Sequence, residues 1–285
     1  MSEWRQSVEL LREARRACAQ MNDQMYLIES VPWDVLIVLD ACRADAFEQA
    51  CTIVAHRVQS PGCCTGQWLC AMAQMLRARD VLYYTANPIV DRENGTQDLR
   101  LRLASLWQRH WGRFGSDAIP SVHPMSVTAV VLEDWHTGTW CGPRVVHYLQ
   151  PHCPYIGEPP LNAGRWYSNN RPLGTPIGHL REMIASGELS WPTVRQAYLG
   201  NLRLAWDAVR NLVAALDGLR IVITADHGNL LGEGGLYGHE PNWKGKPELH
   251  TVPWLDVVGG KRIGEPQPPA EERATQAKLE ALGYV

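Results

Sequence analysis

Four uninterrupted apolar runs constrain the fold of this chain more than any other feature of its sequence. They are rich in valine, isoleucine and leucine, and they lack the alternation of polar and apolar residues that marks a half-exposed strand. The runs cover residues 35–39, 81–85, 145–149 and 221–225. Strands of this kind are buried on both faces, so we expect them to lie side by side in a parallel sheet.

Helical patterns separate these runs. We predict helices over residues 67–79, 98–111, 124–134 and 193–216, and a long loop over 157–178. Strands that alternate with helices indicate an α/β fold with a mainly parallel sheet. No domain boundary is evident, so we expect a single domain over 1–285, with an N-terminal helix at 3–21 and a Pro-rich linker and terminal helix over 264–285.

The charge balance and the apolar pattern exclude several classes of protein. The 27 Lys and Arg residues nearly match the 30 Asp and Glu residues, so there is no broad positive field for nucleic acid. No stretch reaches the ~20 apolar residues of a membrane span, and the N-terminus lacks a signal-peptide pattern. The eight cysteines contain no CxxC pair, which favours buried thiols in a reducing compartment. We therefore expect a cytoplasmic protein without a transmembrane segment; the sequence leaves its oligomeric state open.

Polar residues directly after the apolar runs are the first candidates for chemistry, because ligands bind at the carboxyl ends of parallel strands. Asp40 follows the first run, and Asp226 and His227 follow the last. Two carboxylates and an imidazole suit a divalent ion and leave positions open for a substrate anion. Taken singly, each of these residues also fits a turn or a helix cap.

Thr65 stands where a predicted helix begins. Backbone N–H groups and the helix dipole favour an anion there, and a metal ion lowers the pKa of a hydroxyl for attack. A simple N-cap role is the structural alternative. His147 lies inside an apolar run, which is typical of a core histidine or of one that orients a ligand.

Seven segments occur in an order that resembles the sulfatase-like branch of the alkaline phosphatase superfamily. They begin with the strand that ends in Asp40 and its following Arg43, and include the turn at Thr65, the His-x-Pro-Tyr stretch at His152 and the Asp-His-Gly stretch at Asp226. The segments are residues 35–47, 60–65, 147–155, 224–233, 237–239, 248–254 and 279–284. The resemblance implies an alkaline-phosphatase-like fold, a three-layer α/β/α sandwich with a mainly parallel sheet.

The resemblance also implies roles for individual residues. Asp40, Thr65, Asp226 and His227 would hold a divalent ion, which is Zn²⁺, Mn²⁺, Mg²⁺ or Ca²⁺, with one ion favoured over two. Thr65 would be the nucleophile, and His152 and His239 would stabilise the transferred group or protonate the leaving group. The predicted substrate-binding residues are Arg43, Asn87 and Lys244; a surface role for Lys244 and a turn role for Asn87 are the alternatives.

Two departures from the family pattern refine this expectation. The Cys63-Cys64-Thr65 turn lacks the Pro or Ser and the Arg of sulfatases that use an oxidised cysteine, so phosphate esters are favoured over sulfate esters, although a neighbouring cysteine stays an alternative nucleophile. Ala41 follows Asp40 where many sulfatases have a second Asp, which favours one metal ion.

The sequence therefore predicts a metal-dependent hydrolase or transferase, of the ester-hydrolase type. It would act on a phosphate mono- or diester, or on a sulfate ester, of a small molecule, glycan or lipid, through a covalent Thr65 intermediate. The rival interpretation is a non-catalytic sulfatase-like protein that binds an anionic glycan or a lipid head group.

Overall fold

The computed structural model describes residues 20–115, 118–161, 167–168, 171–172, 176–243, 245–260 and 263. Its helices are α1 (Gln24–Ser30), α2 (Ala44–Cys51), α3 (Thr65–Ala78), α4 (Pro88–Thr96), α5 (Trp107–His110), α6 (Pro124–Thr137), α7 (Pro176–Ala185), α8 (Trp191–Ala215) and α9 (Pro247–His250). The main sheet contains β1 (Val35–Asp40), β2 (His56–Gln59), β3 (Leu82–Thr85), β4 (Arg102–Ser105), β7 (Arg144–Pro151), β10 (Arg220–Ala225) and β13 (Thr251–Val258). Short pairs are formed by β5 (Trp111–Phe114) with β6 (Ile119–Val122), β8 (Tyr167–Ser168) with β9 (Arg171–Pro172), and β11 (Leu230–Leu231) with β12 (Tyr237–Gly238).

The seven strands of the main sheet lie in the order β2-β13-β10-β1-β7-β3-β4. The five strands from β10 to β4 are parallel, and β13 runs antiparallel to both of its neighbours. The four predicted apolar runs are the inner strands β1, β3, β7 and β10, which confirms the α/β class with a mainly parallel sheet. Every residue of β1 and of β7 is buried, as expected of strands covered on both faces.

Helices cover both faces of the sheet. In one group, α8 contacts both α2 and α6. In the second group, α3 contacts both α1 and α4. The long helix α8 packs directly on β7. A single large hydrophobic core runs through the sheet and both helix groups. The three predicted helices at 67–79, 124–134 and 193–216 correspond to α3, α6 and α8.

The predicted helix over 98–111 is wrong for most of its length, and the structure has only the one-turn helix α5 (Trp107–His110) near its end. Residues 102–105 instead form the edge strand β4, whose register pairs Leu82 with Arg102 and Thr85 with Ser105. Asp98 and Arg100 have φ angles of 46° and 57°, so the chain cannot enter a regular helix there. Arginine and leucine alternate over residues 100–103, which is the period-2 pattern of a strand.

The predicted loop over 157–178 is partly structured, since it contains β8 and β9 and ends where α7 begins at Pro176. The predicted N-terminal helix at 3–21 lies outside the described residues except for Gln20 and Met21, and the Pro-rich linker and terminal helix over 264–285 lie wholly outside them.

The carboxyl ends of β1, β3, β7 and β10 meet at one edge of the sheet, and the predicted site residues that the structure describes gather there. Asn201 on α8 secures the loop that follows β7: its amide nitrogen donates to the carbonyls of His152 and Pro154, both at 3.0 Å, and its oxygen accepts from the Gly157 amide at 2.9 Å. This loop can approach α8 so closely because Gly200 has no side chain, since a Cβ there would lie 2.2 Å from the Glu158 carbonyl oxygen.

Candidate active site

Asp40 is the last residue of β1 and is almost fully buried. Its Oδ2 accepts a hydrogen bond of 2.5 Å from the side-chain amide of Asn87. Its Oδ1 is buried and has no hydrogen-bond partner. Burial and the neighbouring Asp226 carboxylate hold the pKa of Asp40 well above its ordinary value. A buried carboxylate oxygen without a donor is costly, so this atom indicates a missing positive partner.

Asp226 follows β10 and faces Asp40 across the strand ends. Its Oδ1 accepts from the backbone amides of Ala41 at 3.0 Å and His227 at 2.9 Å, and its Oδ2 accepts from the Thr65 hydroxyl at 2.8 Å. Burial raises the pKa of Asp226, but the hydrogen bonds from the Ala41 amide and the Thr65 hydroxyl oppose this effect, and the pKa lies below its ordinary value. Asp226 is therefore the carboxylate that stays ionised.

His227 points its Nε2 at both carboxylates, 3.4 Å from Asp226 Oδ2 and 3.6 Å from Asp40 Oδ1. Its Nδ1 lies 2.7 Å from the carbonyl oxygen of Gly228, which can only accept, so Nδ1 carries the proton and Nε2 presents its lone pair. Burial lowers the pKa of His227 and favours this neutral form. Gly228 is required here because a Cβ would lie 1.9 Å from the Glu248 carbonyl oxygen.

Thr65 is the first residue of α3, and its hydroxyl lies 3.4 Å from His227 Nε2 as well as 2.8 Å from Asp226 Oδ2. Cys64 occupies the N-cap position without a side-chain cap, so Thr65 is not an N-cap residue. The turn before it is tight, since a Cβ on Gly62 would lie 2.6 Å from the Trp68 amide nitrogen. The Ser60 hydroxyl contacts the Asp226 carbonyl oxygen and fixes this turn against the end of β10.

His147 belongs to the same cluster; the sequence favours a core histidine or one that orients a ligand, and predicts no contact with the carboxylates. Its Nε2 lies 3.7 Å from Asp226 Oδ2 and has no hydrogen-bond partner, while its Nδ1 lies 2.7 Å from the Tyr83 hydroxyl. Burial lowers the pKa of His147 to about 4, so the ring is neutral. The signal that could have revealed it is a histidine inside an otherwise apolar central strand, close to the strand's carboxyl end.

The cluster fits a divalent cation. Ligand atoms of Asp40, His147 and Asp226 lie within 4.8 Å of one another, and all three residues are buried. Two unit charges about 4 Å apart repel by about 4 kcal/mol at an effective dielectric constant of about 20, which exceeds the ~1 kcal/mol of an ordinary hydrogen bond. In the described part of the chain no lysine or arginine forms an ion pair with either carboxylate. A bound cation would supply the charge that these residues lack.

His152 and His239 lie beside this cluster and contact each other. Their Nε2 atoms are 3.1 Å apart, and the His239 ring centroid is 4.2 Å from that of His227. Burial lowers the pKa of His239 well below its ordinary value, and the nearby His227 and His152 act in the same direction. Burial also opposes protonation of His152, but its interactions with Cys153 raise its pKa to about 9. The pair thus resembles a protonated donor beside a neutral acceptor.

The three predicted substrate-binding residues have different surroundings. The Arg43 guanidinium bonds to Asp45 at 2.7 Å and to Glu233 at 2.5 Å, so in this structure it ties α2 to the loop after β10. Asn87 orients Asp40 and caps α4, since its Oδ1 accepts from the Ile89 amide at 2.8 Å. Lys244 lies outside the described residues.

No protein-family model matches the chain, and no curated protein is detectably similar to it in sequence. Solved structures do resemble it. The soluble domain of lipooligosaccharide phosphoethanolamine transferase A from Neisseria meningitidis superposes with a TM-score of 0.54 at 14% identity, over 79% of this chain and 75% of that domain. The chain has an alkaline-phosphatase-like fold. The integral membrane form of the same transferase gives a TM-score of 0.55 at 13% identity, over 81% of this chain.

The present chain covers 48% of that membrane protein, and so corresponds to about half of the length of the membrane protein. A protein in the alkaline phosphatase superfamily from Vibrio parahaemolyticus is a more distant likeness, with a TM-score of 0.45 at 10% identity over 80% of this chain and 61% of that one. Among the described residues, no helix is both long enough and apolar enough to cross a membrane.

Replacement of Asp226 by Asn tests the cation site. The variant keeps the shape of the side chain but removes the carboxylate that stays ionised, so we expect the bound divalent metal to be lost. Metal content after dialysis, measured by inductively coupled plasma mass spectrometry, reports the result. Asp256→Asn, on an exposed position of β13, is the matched control and should retain the metal; equal metal content in the two variants would refute the site.

Proposed function

We propose that this chain is a metal-dependent enzyme that transfers a phosphoryl-type group from an ester through a covalent Thr65 intermediate. The observation that carries the proposal is the position of the Thr65 hydroxyl, at the first residue of α3 and 2.8 Å from the ionised Asp226 carboxylate. A hydroxyl at that place meets both requirements of a nucleophile, a nearby proton acceptor and an adjacent site for the anionic group under attack.

The chain's own residues account for nucleophilic attack. Thr65 Oγ1 forms a bond to phosphorus while the bond between phosphorus and the leaving oxygen breaks, and the hydroxyl proton passes to Asp226 Oδ2, which already accepts its hydrogen bond. The N-terminal amides of α3 face the developing negative charge on the non-bridging oxygens. In a second step, water or an acceptor alcohol attacks phosphorus and gives its proton to the His152 and His239 pair, while the bond between phosphorus and Thr65 Oγ1 breaks and Oγ1 takes back the proton held by Asp226 Oδ2.

A divalent ion held by Asp40, Asp226, His227 and Thr65 would lower the pKa of the Thr65 hydroxyl and neutralise charge on the transferred group. The buried, unpartnered Oδ1 of Asp40 and the Nε2 of His227 both face this position. One cation satisfies these groups, which supports the expectation of a single ion.

His152 and His239 supply the leaving-group proton in this proposal. They adjoin the cluster on the side of the loop after β7, and the 3.1 Å contact between their Nε2 atoms lets one proton be shared. Asn201 holds the His152 backbone in place through its carbonyl. The raised pKa of His152 means that the proton is present at neutral pH.

Phosphate esters are favoured over sulfate esters because the turn presents Thr65 and lacks the Pro or Ser and the Arg of sulfatases that use an oxidised cysteine. Cys63 is buried and donates toward Gln67 Oε1 at 3.2 Å, and burial raises the pKa of the Cys64 thiol, which disfavours a Cys64 thiolate. Two structural neighbours are named as lipooligosaccharide phosphoethanolamine transferases, which supports transfer to an acceptor as well as hydrolysis. Their names also support a glycan or lipid ester as the substrate class.

Replacement of Thr65 by Ala separates catalysis from binding. We expect turnover to fall about a thousandfold or more, because the nucleophile is lost, while metal affinity weakens by only about tenfold. Hydrolysis of p-nitrophenyl phosphate, bis-p-nitrophenyl phosphate and p-nitrophenyl sulfate with added Zn²⁺, Mn²⁺, Mg²⁺ or Ca²⁺ measures the first quantity, and metal titration measures the second.

Thr137→Ala is the matched control, because it makes the same substitution at the exposed end of α6, away from the site. This variant should be fully active. If the wild-type chain binds metal but turns over none of these esters, and Thr65→Ala binds a phosphate or sulfate anion as well as the wild type does, the chain is an anion-binding protein and the enzymatic proposal is wrong.

Leaving-group dependence tests the role of His152. A variant without the proton donor loses most rate with a poor leaving group, so His152→Gln should slow phenyl phosphate about 10²-fold or more and slow p-nitrophenyl phosphate much less. The ratio of the two kcat/KM losses is the readout. His56→Gln, which alters an exposed histidine on β2, should change neither rate. An equal loss for both esters in His152→Gln would show that His152 does not protonate the leaving group.

A further inference from the structure

We propose that His147 is an additional ligand of the cation shared by Asp40 and Asp226, and that the Tyr83 hydroxyl positions its ring for this role. The inference rests on the metal dependence in the proposed function and adds two residues to which the sequence analysis gave no metal-binding role. It is carried by the placement of two side chains on neighbouring strands.

The sheet register brings these side chains together. His147 lies in β7 between β1 and β3, opposite Val38 on one side and Thr85 on the other. Its ring is completely buried, and its Nε2 reaches the carboxylate cluster, 3.7 Å from Asp226 Oδ2. Ligand atoms bound to one ion at about 2.0–2.2 Å lie roughly 3–4 Å apart, so this separation is that of two ligands of the same ion.

The other ring nitrogen is occupied. Nδ1 lies 2.7 Å from the hydroxyl of Tyr83, which is itself fully buried on β3. A hydroxyl can accept as well as donate, so the Tyr83 oxygen can accept a hydrogen bond from a protonated Nδ1, which leaves the lone pair on Nε2. A ligating histidine needs this arrangement, with its second nitrogen donating to a fixed acceptor.

A packing role alone does not explain the histidine. The Trp68 and Tyr83 rings pack against it at centroid distances of 6.4 Å and 5.9 Å, which an apolar side chain would accept equally well. Instead the position holds a polar ring whose Nε2 is buried without a partner, beside a carboxylate cluster in which Asp40 Oδ1 is also without one. Buried polar atoms are paired in folded proteins, and a shared cation pairs both.

The adjacent tyrosine provides a matched control. Tyr84 is also fully buried on β3, but its hydroxyl donates to Asp134 Oδ2 at 2.9 Å on α6, away from the cluster. Tyr83→Phe and Tyr84→Phe therefore remove the same atom from neighbouring positions of one strand, and only the first removes a contact with His147.

The experiment measures Zn²⁺ affinity by competition with a chelator, and the visible absorption of the Co²⁺ form, for the wild type, Tyr83→Phe, Tyr84→Phe and His147→Gln. We expect Zn²⁺ binding to weaken about tenfold in Tyr83→Phe and about 10–100-fold in His147→Gln, with an altered Co²⁺ spectrum in both. Tyr84→Phe should match the wild type. Circular dichroism confirms that each variant is folded, and Tyr83→Phe keeps the test decisive if His147→Gln does not fold.

The outcomes separate this inference from the function on which it rests. If the wild type binds no metal, the proposed function is wrong and the inference falls with it. If the wild type binds metal while Tyr83→Phe and His147→Gln keep its affinity and spectrum, only the inference is wrong. If those variants instead raise KM for a phosphate ester at unchanged metal affinity, His147 contacts the substrate rather than the ion, which also overturns the inference.

Discussion

Repulsion between two buried carboxylates is the constraint on which the rest of this structure depends. Asp40 and Asp226 are placed at the ends of adjacent central strands with almost no exposure to water. The fold holds them there with buried neutral donors: the Asn87 amide, the Ala41 backbone amide and the Thr65 hydroxyl. Neutral donors reduce the cost of burying a carboxylate but cannot cancel its charge, so a divalent cation would suit this site.

The arrangement depends on elements distant in sequence. Ser60 fixes the turn before α3 to the end of β10, Asn201 on α8 secures the loop that carries His152, and Gln24 on α1 donates to the Ala225 carbonyl beside Asp226. Each is a polar side chain that is nearly or completely buried. These side chains bridge different strands and helices, so the geometry at Thr65 depends on the whole domain. A substitution at any of them should therefore alter the geometry of the site.

The central sheet could be predicted from the sequence because burial on both faces leaves an apolar run that is easily seen. The edge strand β4 and the antiparallel strand β13 were not predicted, since β4 is only four residues long and β13 is buried for only part of its length. For the site, strand ends indicated Asp40, Asp226 and His227, and the family resemblance added His152 and His239. His147 was missed because nothing in a single sequence shows which nitrogen of a buried histidine lacks a partner, and the surroundings of Arg43 depend on Glu233, which is distant in the chain.

Anomalous diffraction from a crystal soaked with Zn²⁺ or Mn²⁺ tests the central claim most directly, because it locates the ion without reference to activity. We expect one strong peak bounded by Asp40 Oδ1, Asp226 Oδ2 and His227 Nε2, next to the Thr65 hydroxyl. A crystal that shows no peak among these atoms at saturating metal, or whose ordered ion lies only elsewhere on the chain, would contradict it.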